Sequence, residues 1–278
     1  MTWRSHAIAA LAFTLASEGW GQPALSTEFG IADVPPFESA LSANGLAGWR
    51  VPLGSATVAP FSDADGGPAL FLPASSEARW QFPDPGHSTL WMVTRVRSAG
   101  GLMSLSQLPP RPIAAAIGLD TNQGLVALDG DGEGGGVPHL LGVTLDGESW
   151  HEIAIRHSYR SQIYDVYIDG TLRGAHLGFR DPISAPEGIG LGARDSPATV
   201  GHVSFSATPP PGIVYRRGDV RIDGVIDVTD LVTLINSLNG GPSLTALQTL
   251  NADLNEDGAV TVTDRDLLAD LLAGVELP

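Results

Sequence analysis

From about Thr27 to Ala207 the apolar positions fall in short runs separated by Gly, Asp or Pro, at intervals of roughly ten residues. Clear examples are Ala69–Pro73, Ala78–Phe82, Leu90–Val96, Leu125–Leu128, Leu140–Leu145, Trp150–His157, Ile163–Ile168 and Thr199–Ser206. Runs this short, each closed by a turn residue, predict an antiparallel β-sandwich. Alternation is strict in one of them, with Ile163, Asp165 and Tyr167 on one side and Tyr164, Val166 and Ile168 on the other. The aspartate predicts one buried face and one at least partly wet. Asp169-Gly170 follows, a pair suited to a tight hairpin that needs positive φ. Trp150–Arg156, a loop, and Tyr164–Gly170 are therefore predicted to form one meander.

The period changes after Ala207-Thr-Pro-Pro-Pro-Gly212, a segment that cannot continue a sheet and favours extended polyproline geometry. Beyond it, Leu234, Ile235 and Leu238, and then Leu267, Leu268, Leu271 and Leu272, recur at three-and-four spacing and predict two helices. Ser243 is placed to cap a linking helix through Leu244, Leu247 and Leu250. At the other end, a short lead containing Arg4 precedes the apolar stretch Ala7–Ala16 and the small residues Gly19 and Gly21, the pattern of an export signal. Ten mostly apolar residues are too few to span a hydrocarbon core of about 30 Å as a helix. The expected organisation is a signal peptide at 1–21, a sandwich at 22–207, a proline-rich linker at 208–216 and a small helical domain at 217–278, with no membrane span in the mature chain.

Composition narrows the chemistry. In 278 residues there are 34 Gly and 21 Pro, which argues against an all-helical protein. Fifteen basic against 31 acidic residues leave a formal charge of −16, which phosphate backbones and anionic lipid would repel, so nucleic acid is not expected as a partner. All the basic residues are Arg, which removes lysine Schiff-base and P-loop chemistry. With no Cys there are no disulfides and no thiolate metal sites, and any structural ion must be a hard one bound through oxygen.

Within the predicted sandwich no catalytic constellation stands out. The acidic run Asp129–Gly136 is a glycine-rich loop that reads as a calcium or glycan loop or, more simply, as a solvated turn. Asp146 and Glu148 flank Gly147 in what reads as another turn. The seven His residues lack helical metal-site spacing, and no Gly-x-Ser-x-Gly elbow occurs. Trp49, Trp80, Trp91 and Trp150 could stack on sugar rings, although Trp in alternating strands more often belongs to the core.

The acidity of residues 217–278 is patterned. Three Arg against eleven Asp and Glu give 3 − 11 = −8, half of the total charge. Asp219–Asp230 and Asp253–Asp264 are twelve-residue units that start 34 positions apart. Each has an acid at positions 1, 5 and 12, Gly at 6 and an apolar residue at 8. An oxygen shell for Ca²⁺ takes side chains from alternating loop positions and a backbone carbonyl from position 7, with Gly at 6 for the sharp turn. The metal-ligand candidates are accordingly Asp219, Asp223, Val225, Asp227 and Asp230, and Asp253, Asn255, Asp257, Ala259, Thr261 and Asp264. Position 3 of the first loop is Arg221, a cation where an oxygen belongs. The second loop is therefore expected to bind calcium more tightly, with Asp227 compensating in part in the first. No helix precedes the first loop, so each repeat reads as loop then helix.

Two resemblances follow from these residues. Trp150-His151 with Ile153-Ala154-Ile155, Val166–Gly170, Gly188–Gly192 and Val203–Phe205 resemble strands of the concanavalin A-like jelly rolls, in particular the laminin G-like group. The tandem loops, with Asp at position 12 and a repeated Val-Thr-Asp, resemble the type I dockerin repeat across Gly218–Gly274. The first resemblance implies a mainly β jelly-roll sandwich that binds glycan or protein, or hydrolyses polysaccharide. The second implies a small all-α domain that folds on calcium and docks onto a cohesin-like protein. Positions 10 and 11 of each loop would form the docking face, here Val228 and Thr229, and Val262 and Thr263.

The expected protein is an exported bacterial one, secreted or at the cell surface, with a non-catalytic sandwich facing polysaccharide or another glycan and a calcium-dependent docking module. Two alternatives remain open: a glycoside hydrolase or lyase whose carboxylates are not recognisable from one sequence, and an adhesion module that binds protein.

Overall fold

The computed structural model describes residues 69–81, 87–98, 108, 112–120, 124–186, 188–193 and 197–275, with short strand segments at 26–27, 49–53 and 57–59. The expected signal segment at 1–21 lies outside them. The chain divides into two compact units, Met1–Pro210 and Pro211–Pro278.

Among the described residues the first unit is antiparallel β-structure. Its strands are β1 (Ser26–Thr27), β2 (Trp49–Leu53), β3 (Thr57–Ala59), β4 (Ala69–Leu72), β5 (Ser76–Gln81), β6 (Thr89–Ser98), β7 (Ile117–Asp120), β8 (Gly124–Gly130) and β9 (Gly136–Leu140). There follow β10 (His151–Ser158), β11 (Ile163–Ile168), β12 (Thr171–Gly178), β13 (Gly188–Ala193) and β14 (Ala198–Ser206). The largest sheet runs β12-β11-β10-β6-β14-β4-β3, with β1 also on β14. Two three-stranded sheets, β13-β5-β2 and β7-β8-β9, accompany it.

The predicted meander is the backbone of the large sheet. Strands β10 and β11 pair with Ile153 opposite Ile168 and Ile155 opposite Val166. Asp169 and Gly170 turn the chain at φ 50° and 74° into β12. Ile153, Ile155, Tyr164, Val166 and Ile168 point into a core shared with Ile117, Leu125 and Ala127 of the β7-β8-β9 sheet and Ile189 and Leu191 of the β13-β5-β2 sheet. Tyr164 ties the layers together, its hydroxyl donating to the carbonyls of Leu128 and Ala116. His157 is fully buried in the same core, its ring 5.9 Å from Tyr159 and 6.2 Å from both Tyr164 and Phe179.

Two strand expectations are corrected. The run Leu140–Leu145 is not a strand: β9 ends at Leu140, and Gly142, at φ 66°, breaks the extension. Leu141 and Leu145 are nevertheless buried, because apolar area can be covered without a ladder. The supposedly wet face of β11 is dry, since Asp165 is 0% exposed. Its carboxylate accepts from Arg156 Nε at 2.6 Å and from the His176 N–H at 2.8 Å. Alternation marked the two faces correctly, but a charge directly opposite Arg156 in the register is paired in place of being solvated.

The second unit, read by itself, has three helices: α1 (Val228–Leu238), α2 (Ala246–Ala252) and α3 (Val262–Leu272). Its core is small, made by Val220, Leu234, Ala252, Leu254 and Leu268, with Ile226, Leu238, Val260 and Leu271 packed around them. Val220 and Leu254, and Leu234 and Leu268, are matched pairs from the two repeats. The linking helix is capped by Thr245 and not by Ser243, because Gln248 stands three residues on and returns a bond to the Thr245 N–H at 3.0 Å.

Removing one partner of the buried Arg156–Asp165 pair strands the other charge, so Asp165→Ala should cost about 3–5 kcal/mol in urea unfolding. The Arg156→Met/Asp165→Leu double variant should recover most of that loss. Burial also holds His157 down to about 3, from 6.5 when solvated. The unfolded chain then takes up this proton first, and stability should fall as pH drops from about 6.5 towards 3. His157→Leu should flatten that part of the pH profile, measured by thermal unfolding.

Candidate calcium loops and docking face

The two acidic loops are built by the same hydrogen bonds. In the first, Asp219 accepts from the N–H groups of Asp223 (3.1 Å) and Gly224 (2.8 Å). In the second, Asp253 accepts from Asp257 (3.1 Å) and Gly258 (2.9 Å). Asp223 and Asp257 each accept from the N–H two residues on, at 3.0 and 2.9 Å. Position 12 closes each loop: Asp230 accepts from Arg221 N and Asp227 N, and Asp264 from Leu254 N, Asn255 N and Thr261 N. Backbone curvature agrees, with Gly224 and Gly258 at φ 82° and 86° and Ile222 and Glu256 also left-handed at 61° and 56°.

Each loop runs directly into a helix. Asp227 and Thr261, at position 9, are the N-caps of α1 and α3 and accept from the N–H groups of Thr229 and Thr263. Asp230 and Asp264 complete both caps by accepting from the cap residue's own N–H. Asp227 is held below the usual carboxylate range by bonds from the Thr229 hydroxyl and N–H, with help from Arg221.

The second loop fits a hard divalent cation. Asp253 and Asp264 are 1% and 0% exposed, and Asn255, Asp257 and Thr261 carry side-chain oxygens at positions 3, 5 and 9. With the Ala259 carbonyl these six residues would hold the ion. Asp219, Asp223, Asp227, Asp230 and the Val225 carbonyl are the corresponding set in the first loop. There the fit fails at position 3, where the guanidinium of Arg221 lies 3.2 Å from Asp223 Oδ2 and 2.8 Å from Thr229 Oγ1. Among the described residues no three acidic or histidine side chains converge on one point; their oxygens are turned onto loop N–H groups. Such a shell draws also on amide and carbonyl oxygens.

The expected docking residues are exposed at the starts of α1 and α3. Val228 is 63% and Val262 57% exposed, with Thr229 and Thr263 beside them. Sequence reasoning missed Val232, one turn after Val228 and 50% exposed. An i, i+4 pair of valines outside the leucine stripe was the available signal. Its counterpart 34 residues on is Asp266, bound to Arg265 at 2.6 Å, so the repeats present different chemistry there.

The sandwich candidates turn out differently. Asp131 accepts from the N–H groups of Glu133 and Gly135, and Arg180 Nε donates to the Gly134 carbonyl, so the glycine-rich run is a pinned turn. Asp146 is brought down to about 2 by bonds from Ser149 and Glu148, again a turn. Trp91 is 1% exposed, its ring 5.6 Å from Tyr167, and belongs to the interior. Trp150 is half-buried, with the Arg97 guanidinium 4.9 Å over its ring. The side chains of Trp49 and Trp80 lie outside the described residues.

Residues 217–273 match the family model of the dockerin type I domain, and the C-terminal unit carries that module. Domains of this family bind calcium and dock onto cohesins. No curated protein matches the chain. Solved structures similar to it include a sialidase, at 12% identity and a TM-score of 0.44, covering 77% of this chain and 20% of that one. Another is the binding domain of botulinum neurotoxin DC, in complex with SialylT, at 12% identity and 0.40, covering 60% and 44%. A third is domain 4 of AbnA, a GH43 extracellular arabinanase from Geobacillus stearothermophilus in complex with arabinotriose, at 17% and 0.38, covering 56% and 81%. The chain thus spans a fifth of the sialidase and under half of the toxin domain. Among the described residues no helix is long and apolar enough to cross a membrane.

Because position 12 serves loop and helix at once, Asp264→Ala should destabilise the C-terminal unit by about 2 kcal/mol even in chelator. Circular dichroism melts of the full chain in EDTA would show it as loss of the helical transition at lower temperature.

Proposed function

We propose that this chain is an exported, non-catalytic binding protein whose β-sandwich is carried onto a cohesin-like partner by a calcium-dependent dockerin module. The observation that carries the reading is the repeated loop network, position 1 to 5 and 6, and position 12 back to the loop and cap, inside the residues that match the dockerin family model. Calcium would hold the second loop, whose residues fit it, and thereby the first turn of α3; the first loop leads in the same way into the first turn of α1. Those turns present Val228, Thr229, Val262 and Thr263 to the partner.

For the sandwich, the proposed ligand is a polysaccharide or another glycan. Among the described residues Asp129, Asp131, Asp146, Asp169 and Asp181 accept main-chain N–H bonds that hold turns and strand ends, so these five serve the fold. Secretion is the location that suits both halves, since the chain has no thiols to oxidise and its ion chemistry is that of a hard cation.

The full chain should be retained on an immobilised type I cohesin module in calcium and released by EDTA. The Val228→Asp/Val262→Asp variant should lose retention by at least tenfold while keeping its helical circular dichroism. Insoluble plant, algal or microbial polysaccharide should deplete the chain from solution with no release of soluble sugar; sugar release would replace the binding role by hydrolysis or lysis.

A further inference from the structure

The two loops have the same backbone path but not the same occupants. Arg221 and Asn255 both stand at position 3, and both give their main-chain N–H to the position-12 carboxylate, at 2.8 and 3.2 Å. Their side chains differ in kind. Asn255 stays within its loop, its amide accepting from Asp257 N and donating to Asp257 Oδ2 at 2.8 Å. Arg221 reaches Asp223 Oδ2 at 3.2 Å and Thr229 Oγ1 at 2.8 Å, and the Thr229 hydroxyl in turn donates to Asp227. One guanidinium therefore links positions 3, 5 and 11, and through Thr229 position 9.

Charge makes the same point. At positions 1, 3, 5, 9 and 12 the first loop has four Asp and one Arg, giving 1 − 4 = −3, and the second has three Asp, giving −3. The first loop thus contains one carboxylate more than the second, offset by a cation that is part of the chain. A divalent ion entering there would lack the position-3 oxygen, would have to displace the guanidinium from Asp223, and would then face it at short range. None of these costs arises in the second loop.

We infer that Arg221 is the resident cation of the first loop, so that this domain takes a single calcium ion, in the second loop, while the first is held by its own guanidinium. The inference rests on the calcium-dependent docking reading and deepens it. Ion dependence then lies in the repeat that ends in Val262 and Thr263, and Arg221 keeps Val228 and Thr229 in place at the other.

Calorimetric titration of the chelator-stripped full chain with CaCl₂ tests this. The wild type should bind about one ion per chain, Arg221→Asn about two, and Asp257→Asn about none. Circular dichroism in EDTA checks that Arg221→Asn is folded, and the Arg221→Asn/Asp257→Asn double variant should bind about one ion, now in the first loop. Two ions in the wild type, one in Arg221→Asn, or one remaining in Asp257→Asn would each overturn the inference and leave the docking reading standing. No calcium binding by the wild type would overturn the docking reading as well.

Discussion

Each C-terminal repeat depends on one buried carboxylate that has to satisfy two structures at once. Asp230 and Asp264 are 0% exposed, and a charge in that position is tolerated only when its oxygens are fully engaged. The engagement comes from N–H groups that would otherwise be orphaned, at the loop's early residues and at the start of the following helix. The helix dipole favours the same negative charge. Loop closure and helix initiation are thereby one event, and the exposed valine and threonine that begin each helix take their position from it. A small core could not order these segments alone, since the fully buried apolar residues described in this unit are Val220, Leu234, Leu250, Ala252, Leu254 and Leu268.

Oxygen chemistry follows from what the chain lacks. Without cysteine, the C-terminal unit has neither disulfide nor thiolate metal to supplement its core, and its acidic loops take that part. The asymmetry between the loops shows two solutions to one problem. Clustered aspartates need positive charge nearby, and the second loop has the oxygens for a free ion whereas the first carries Arg221 within 3.2 Å of Asp223. The sandwich shows a related economy at Arg156 and Asp165, where two opposed strand residues cancel each other's charge inside the sheet.

The sandwich otherwise owes its order to apolar packing between sheets. Its large sheet presents Ile153, Ile155, Val166 and Ile168 to the smaller ones, and Tyr164 adds a hydroxyl bridge to Leu128 across the layers. His157 stacks with Tyr159 and Tyr164 and meets Phe179 edge-on, and burial keeps its ring neutral, so protonation there would oppose this core. Acids that looked like candidate chemistry in the primary structure, such as Asp131 and Asp146, serve as acceptors in turns.

Local signals were enough for much of this. Period-two runs marked β4, β6, β10, β11 and β14, Asp169-Gly170 marked the hairpin, and the spacing from Asp219 to Asp253 marked both loops, because each of these rests on contacts within a few residues. Pairing across long separations was not legible in that way. The dryness of Asp165 depends on Arg156, the end of β9 on Gly142, and the burial of Trp91 on the neighbouring strands, none of which a period reveals. The chain by itself determined which residues form the two loops and that Arg221 is a cation among carboxylates. Only the tertiary structure decided where that guanidinium goes, because a long flexible side chain takes its position from the partners that folding brings within reach.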